Sequence, residues 1–289
     1  MTQISIVVPV FNEEKGLNLT IRQMEELLNT SGLDLDIIFI NDGSTDKSEE
    51  ILKTIQNPLI RVLNHTSNRG YGAALKTGIR ESSAPYICIT DADGTYPIHE
   101  IKNLASQIKN DYSMIVGART GEKVKIPLIR KFPKWILNKL ANYLTNMKIP
   151  DINSGLRIMK KKDIDIFMKI LPDGFSFTTT ITIAMLTNNM QVLYLPINYH
   201  HRKGKSKIRP IYDTLNFFQL IIRTCLYFDP LKIFIPLTIF LFMLAFFVLL
   251  FSYFFMDKIM DVTFGTIIMT AVIVTAIGML ADLIDKRLE

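Results

Sequence analysis

Two uncharged apolar runs near the C-terminus set the first constraint on this chain. Ile233 to Met256 carries no charged residue, and neither does Val262 to Ala281. The first run is about 36 Å long as a helix, and a hydrocarbon core is about 30 Å thick. A core hairpin of a soluble protein is the competing explanation, but two consecutive runs of spanning length favour a membrane hairpin. The turn between them, Asp257 to Asp261, holds one lysine and two aspartates. Lys203, Lys205, Lys207, Arg209, Arg223 and Lys232 precede the first run, and Lys286 and Arg287 follow the second. The positive-inside rule then places both ends in the cytoplasm. Arg209 to Asp229 is expected as an interfacial helix, with Leu215, Phe218, Ile222 and Leu226 on one face. No charged and apolar leader opens the chain at Met1, so no signal peptide is expected.

The N-terminal part has a different texture. Ile4 to Val10, Leu35 to Ile40, Ile60 to Leu63, Tyr86 to Thr90 and Ser113 to Gly117 are short, β-prone apolar runs. Stretches of helical spacing separate them, such as Lys15 to Asn29, where Leu17, Ile21, Met24 and Leu28 mark an inner face. Alternation of this kind predicts an α/β fold with a mostly parallel sheet covered on both faces. Val192 to Tyr199 is expected as an edge strand, after a Thr-rich apolar helix ending near Asn188.

In such sheets ligands bind beyond the carboxyl ends of the strands. Three of these ends carry polar loops: Phe11 to Glu14, Asn41 to Asp46, and Asp91 to Thr95. Asp91 and Asp93 repel each other unless a cation is shared between them. Hard oxygen ligands, few in number, suit Mg²⁺ or Mn²⁺ that also holds substrate phosphates. The bland alternative is a polar turn with two solvated acids, and the shared edge weighs against it. No Gly-x-Gly-x-x-Gly follows the first strand, and a Walker lysine loop is absent. Phosphates would therefore be held through metal rather than in a glycine cradle.

The net charge is +6, which suits nucleic acid, an anionic membrane surface or phosphorylated substrates. Two spans argue against a nucleic-acid partner. The basic residues cluster: Lys123, Lys125, Arg130, Lys131 and Lys134 form one group, and His200 to Lys207 form another. A solvated face is one explanation; an anion clamp beside a membrane is the other. The two histidines lack a third ligand at metal spacing. Cys88 and Cys225 lie far apart in apolar runs and form no disulfide framework or zinc spacing.

With these residues in view, the chain resembles the family-2 glycosyltransferases of the GT-A fold, within them the dolichol-phosphate mannose synthase and polyprenyl-phosphate glycosyltransferase group. The matches are Val-Pro-Val-Phe-Asn-Glu-Glu from Val8, Asn-Asp-Gly-Ser-Thr-Asp from Asn41, and Asn-Arg-Gly-Tyr-Gly-Ala-Ala from Asn68. They continue with Asp-Ala-Asp-Gly-Thr-Tyr-Pro from Asp91, Gly-Ala-Arg from Gly117, Ser-Gly-Leu-Arg from Ser154, and Gly-Lys-Ser-Lys from Gly204. There are departures. Asn41 stands where the family often has a first Asp, and only Lys203 separates Arg202 from Gly204, which shifts the register of Arg202. The Gln-x-x-Arg-Trp motif of processive synthases is absent.

The resemblance implies a Rossmann-like GT-A domain over residues 1–208, an interfacial segment over 209–231, and a two-helix membrane hairpin with a short tail over 232–289. It implies an inverting hexosyltransferase at the cytoplasmic membrane, its catalytic domain facing the cytoplasm. The sugar would pass from a UDP- or GDP-linked donor to a polyprenyl phosphate. Pro9, Phe11, Glu13, Asp42 and Asp91 would line the donor nucleotide pocket. Asp91 and Asp93, with Thr95 as an added ligand in some relatives, would hold Mg²⁺ or Mn²⁺. Arg119, Arg130, Arg202 and Lys207 would bind the acceptor phosphate, Arg119 also serving in catalysis, with Asp151 in a positioning role. The alternative is a family-2 enzyme adding sugar directly to a glycan or lipid hydroxyl, which would need a dedicated base. Two spans leave lateral association of chains open.

Overall fold

A computed structural model describes residues 3–120, 141–143, 145–174, 176–199, 229–256 and 260–288, with the single positions 139, 222, 226 and 258. Residues 1–217 and 218–289 form two compact units.

The first unit is built on seven strands in the order β3-β2-β1-β4-β6-β5-β7. In chain order the strands and helices are β1 (Gln3–Val10), α1 (Leu17–Thr30), β2 (Asp34–Asn41), α2 (Ser48–Leu52), β3 (Ile60–Asn64), α3 (Tyr71–Glu81), β4 (Tyr86–Ile89) and α4 (Glu100–Ser106). After a 3-10 turn come β5 (Met114–Ala118), β6 (Arg157–Lys160), α5 (Lys161–Phe167), α6 (Phe177–Thr187) and β7 (Val192–Pro196). β1 pairs in parallel with β2 and with β4, β2 with β3, and β5 with β7. From Ile4 to Val10 every residue of β1 is buried, as a strand covered on both faces requires. Leu17, Ile21, Met24 and Leu27 of α1 pack onto the same core as Ile6, Val8 and Phe39.

β6 has no counterpart among the short apolar runs of the sequence. Arg157–Lys160 runs antiparallel between β4 and β5. Its ends are charged, so no apolar run announces it. Arg157 is nonetheless fully buried. Its Nε and Nη2 donate to the Ser154 carbonyl at 3.0 and 2.5 Å. Its Nη1 donates to the Thr178 carbonyl at 3.1 Å and to Thr182 Oγ1 at 2.8 Å. Oxygen acceptors around the guanidinium satisfy the cation that the core would otherwise exclude.

The second unit holds α7 (Leu231–Phe255) and α8 (Asp261–Leu288). Both are long and apolar enough to cross a membrane, and α8 carries the helix on past Ala281 through Lys286 and Arg287. They pack on each other through small and hydroxylated residues: Ala245, Ser252 and Ala271 are buried, and Thr238 Oγ1 meets Thr275 Oγ1 at 3.1 Å. Gly278 lies so near Phe234 that an added Cβ would stand 2.5 Å from it. Close approach over small residues is how helices associate in lipid. Phe240, Phe246, Phe247 and Phe254 are more than half exposed among the described residues, the reverse of a soluble core hairpin. Of the interfacial segment expected over Arg209 to Asp229, only residues 222, 226 and 229 are described.

Candidate active site

The loops that follow β1, β2 and β4 meet at one edge of the sheet, and hydrogen bonds fasten them to each other. Asn12 takes the left-handed conformation at φ 54°. This turns its side chain to accept from the Thr45 amide at 2.7 Å, while its own amide donates to Ser44 Oγ at 3.1 Å. The Glu13 amide donates to Ser48 Oγ at 2.9 Å. Thr20 Oγ1 donates to the Ala92 carbonyl at 2.9 Å, which ties α1 to the acidic loop. Pro9 is buried inside β1, and Phe11 and Glu13 are half-buried just beyond it.

Asp42, expected against the nucleotide, is buried and already engaged. Its Oδ1 accepts from the Arg69 amide at 2.9 Å and lies 2.6 Å from His65 Nδ1; its Oδ2 accepts from the Gly70 amide at 2.8 Å. His65 Nε2 lies 3.0 Å from Thr77 Oγ1. Asp42 therefore fastens the end of β2 to the start of α3. That helix start is closed to phosphate at two amides: Gly72 and Ala73 donate to the carbonyls of Gly174 and Asp173 at 3.1 and 3.0 Å.

Asp91 and Asp93 follow β4 on this edge. Each has one carboxylate oxygen held by a hydroxyl. Tyr71 Oη donates to Asp91 Oδ1 at 3.0 Å. Thr95 Oγ1 donates to Asp93 Oδ1 at 2.5 Å, joined by the Thr95 amide at 3.1 Å. Thr95, expected as an added metal ligand, is fully buried and turned to Asp93. On its other side Asp91 abuts Gly155, where an added Cβ would stand 2.9 Å from Oδ2. Among the described residues no group of three or more His, Cys, Asp or Glu side chains is placed to hold a metal. Two carboxylates are what the chain offers here. They fit a hard cation that completes its shell with water and phosphate oxygens.

Arg119 follows β5, and Asp151 holds it. Its Nε donates to Asp151 Oδ2 at 2.7 Å and its Nη2 to Oδ1 at 2.9 Å; the Arg119 amide adds a third bond to Oδ2 at 3.0 Å. Burial opposes the charge on Arg119, but Tyr96 and the hydrogen bond and charge of Asp151 raise its pKa well above the usual arginine value. Asp151 is 3 % exposed and accepts a further bond from the Asn153 amide at 3.2 Å. These bonds fix the orientation of the Arg119 guanidinium.

Tyr199 joins the two halves of the site. The Arg119 guanidinium carbon stands 5.4 Å over its ring centroid. The ring of Tyr96 meets it edge-on at 5.1 Å, and the Tyr96 hydroxyl accepts from the Gly155 amide at 2.6 Å. Burial pushes the Tyr199 phenol pKa up; a hydrogen bond with Thr95 and the charge of Arg119 lower it, and Asp93 and Asp91 raise it. Arg119 and Tyr96 thus pack against one aromatic side chain, and Tyr96 in turn bonds the Gly155 amide that adjoins Asp91. The sequence reading missed Tyr71, Tyr96, Tyr199 and Gly155. The first two sit inside quoted motifs and Gly155 inside Ser-Gly-Leu-Arg, but Tyr199 carried no signal beyond a strand end. Arg130, Arg202 and Lys207 lie outside the described residues.

Comparison with known proteins follows this geometry. The model described as "Glycosyl transferase family 2" matches residues 5–167. The prophage bactoprenol glucosyl transferase homolog of Escherichia coli (strain K12) is 33 % identical over 176 residues, 59 % of this chain and 56 % of that protein. The chain thus spans little more than half the length of that relative. The undecaprenyl-phosphate 4-deoxy-4-formamido-L-arabinose transferase of Pseudomonas fluorescens (strain Pf0-1) is 28 % identical over 246 residues, 80 % of this chain and 66 % of that protein. Glucosyl-3-phosphoglycerate synthase from Mycobacterium tuberculosis, solved with Mn²⁺, UDP and phosphoglyceric acid, superposes with a TM-score of 0.60 at 17 % identity, covering 78 % of each chain; that likeness is one of fold. With more than half of its length matched by the family model, the chain belongs to glycosyl transferase family 2.

Proposed function

We propose that this protein is a membrane-anchored, metal-dependent glycosyltransferase. It moves a hexose from a nucleotide-sugar donor to a polyprenyl phosphate, with inversion at the anomeric carbon. One observation carries the reading: Asp91 and Asp93 follow β4 on the same edge of the sheet where Arg119, held by Asp151, follows β5. The names of the bactoprenol and undecaprenyl-phosphate relatives support the lipid acceptor, and the apolar hairpin supports a membrane setting.

Asp91 and Asp93 would hold Mg²⁺ or Mn²⁺, which when bound neutralises charge building on the departing diphosphate. Pro9 near the end of β1, with Phe11 and Glu13 on the loop beyond it, borders the donor's base and ribose; bonds from Asn12 and to Ser48 hold that loop in place. Asp42 shapes that pocket through the Arg69–Gly70 amides. The acceptor needs no strong base: a phosphate monoester has its second pKa near 6, so it arrives largely dianionic. One of its oxygens forms the new bond to the anomeric carbon. The bond from that carbon to the diphosphate breaks, and no proton has to move. Capture and aim are what the protein supplies. Asp151 fixes Arg119 for this, and Arg130, Arg202 and Lys207 are the further cations we assign to the acceptor phosphate. The charge asymmetry around the hairpin supports two spans with the catalytic unit on the cytoplasmic side.

The test uses the purified full chain in detergent, with UDP- and GDP-sugars offered alongside undecaprenyl phosphate. A lipid-linked sugar phosphodiester is the expected product. Turnover only with a hydroxyl acceptor would overturn the reading.

A further inference from the structure

We propose that Tyr71 is a positioning residue that sets Asp91 for the divalent cation, doing for that acid what Thr95 does for Asp93. The inference rests on the metal reading above and deepens it. Both acids follow one pattern: a hydroxyl holds Oδ1, from Tyr71 at 3.0 Å and from Thr95 at 2.5 Å. Groups that orient a metal's ligands typically change its affinity by about 10- to 100-fold when removed.

Thr95 lies two residues from its acid, so local turn geometry could account for it. Tyr71 does not: it comes from the first turn of α3, twenty residues away in the chain. That turn is itself anchored. Gly70 has φ 104°, and an added Cβ there would stand 2.5 Å from the Asp173 carbonyl oxygen; one at Gly72 would stand 2.1 Å from that of Pro172. The Gly72 and Ala73 amides donate to the 173–174 backbone, and Lys76 Nζ pairs with Asp173 at 2.7 Å. The two glycines let the chain pack this closely, and the packing delivers the phenol to Asp91. Gly155 closes the other side of that carboxylate. A phenol is protonated at neutral pH, so the hydroxyl donates to the carboxylate.

The experiment measures Mn²⁺ binding to the full chain in detergent, with uridine diphosphate present, by the loss of the free-ion paramagnetic resonance signal. Wild type, Tyr71→Phe, Gly155→Ala and Asp91→Asn are compared, with thermal unfolding as the fold control. Tyr71→Phe is expected to raise the Mn²⁺ Kd about 10-fold with little change in Tm. Gly155→Ala, which crowds the other oxygen, is expected to weaken Mn²⁺ as well. Tyr71→Phe and Gly155→Ala binding like wild type, while Asp91→Asn loses the ion, would overturn the positioning role and leave the metal reading intact. Wild type and Asp91→Asn binding alike, or neither binding, would overturn the metal reading itself. A lower Tm with an unchanged Kd in folded Tyr71→Phe would make Tyr71 merely structural.

Discussion

The guanidinium of Arg119 stands 5.4 Å above the ring of Tyr199, and the ring of Tyr96 meets Tyr199 edge-on at 5.1 Å. The Tyr199 ring therefore backs the guanidinium that we assign to the acceptor phosphate. A cation over an aromatic face gains about 0.5–2 kcal/mol. Tyr199→Phe keeps the ring and should lower kcat/KM only slightly. Tyr199→Leu should lower it about 3- to 30-fold, measured with the lipid acceptor varied at saturating donor.

Asp93→Ala should abolish transfer while leaving a folded, membrane-bound protein. Loss of stabilisation at a departing charged group costs about 100- to 1000-fold in kcat. Chelation of divalent cations should reproduce the loss in wild type, and added Mn²⁺ or Mg²⁺ should reverse it. Full activity in Asp93→Ala, or in chelator, would refute the metal role.

Asp151→Asn should separate aim from chemistry. The amide keeps the shape but meets the Arg119 fork with one acceptor instead of two. The account expects the KM for polyprenyl phosphate to rise about 10-fold or more, with the KM for donor close to wild type. Arg119→Ala should do the same more strongly. Equal effects on both substrates would count against an acceptor clamp.

How much of this was legible in the sequence follows from how local each signal is. β1, β2 and β4 are short apolar runs ending in polar loops, so the parallel core and its functional edge could be read before any coordinates. Asp91 and Asp93 lie one residue apart and declare themselves. β6 could not be read, because its first residue is a buried arginine whose acceptors, the carbonyls of Ser154 and Thr178, are visible only once the chain has folded. Asp42 shows a different limit: its motif is legible, while its hydrogen bonds to the Arg69 and Gly70 amides join residues far apart in the chain and leave no local signal. Tyr199 and Tyr71 reach the site from distant parts of the chain, and no spacing rule connects them with Asp93 or Asp91.

Arg157→Met provides a stability test of β6. The thioether fills much of the volume but leaves the Ser154 carbonyl without the two guanidinium donors it accepts from. A buried acceptor stranded in this way costs about 1–3 kcal/mol, so the unfolding temperature of the detergent-solubilised protein should fall by several degrees. Because Ser154 leads into Gly155 beside Asp91, metal affinity should weaken too. An unchanged Tm would show that the arginine's hydrogen bonds offset no more than the burial of its charge.

The central claim is that Asp91 and Asp93 hold the cation of a nucleotide diphosphate beside Arg119. An experimental structure of the full chain with Mn²⁺ and a nucleoside diphosphate tests it most directly. The account predicts the ion on the Asp91 and Asp93 carboxylates and on oxygens of the diphosphate, with Arg119 on the same edge of the sheet. An ion bound elsewhere, or a diphosphate seated away from both acids, would contradict it.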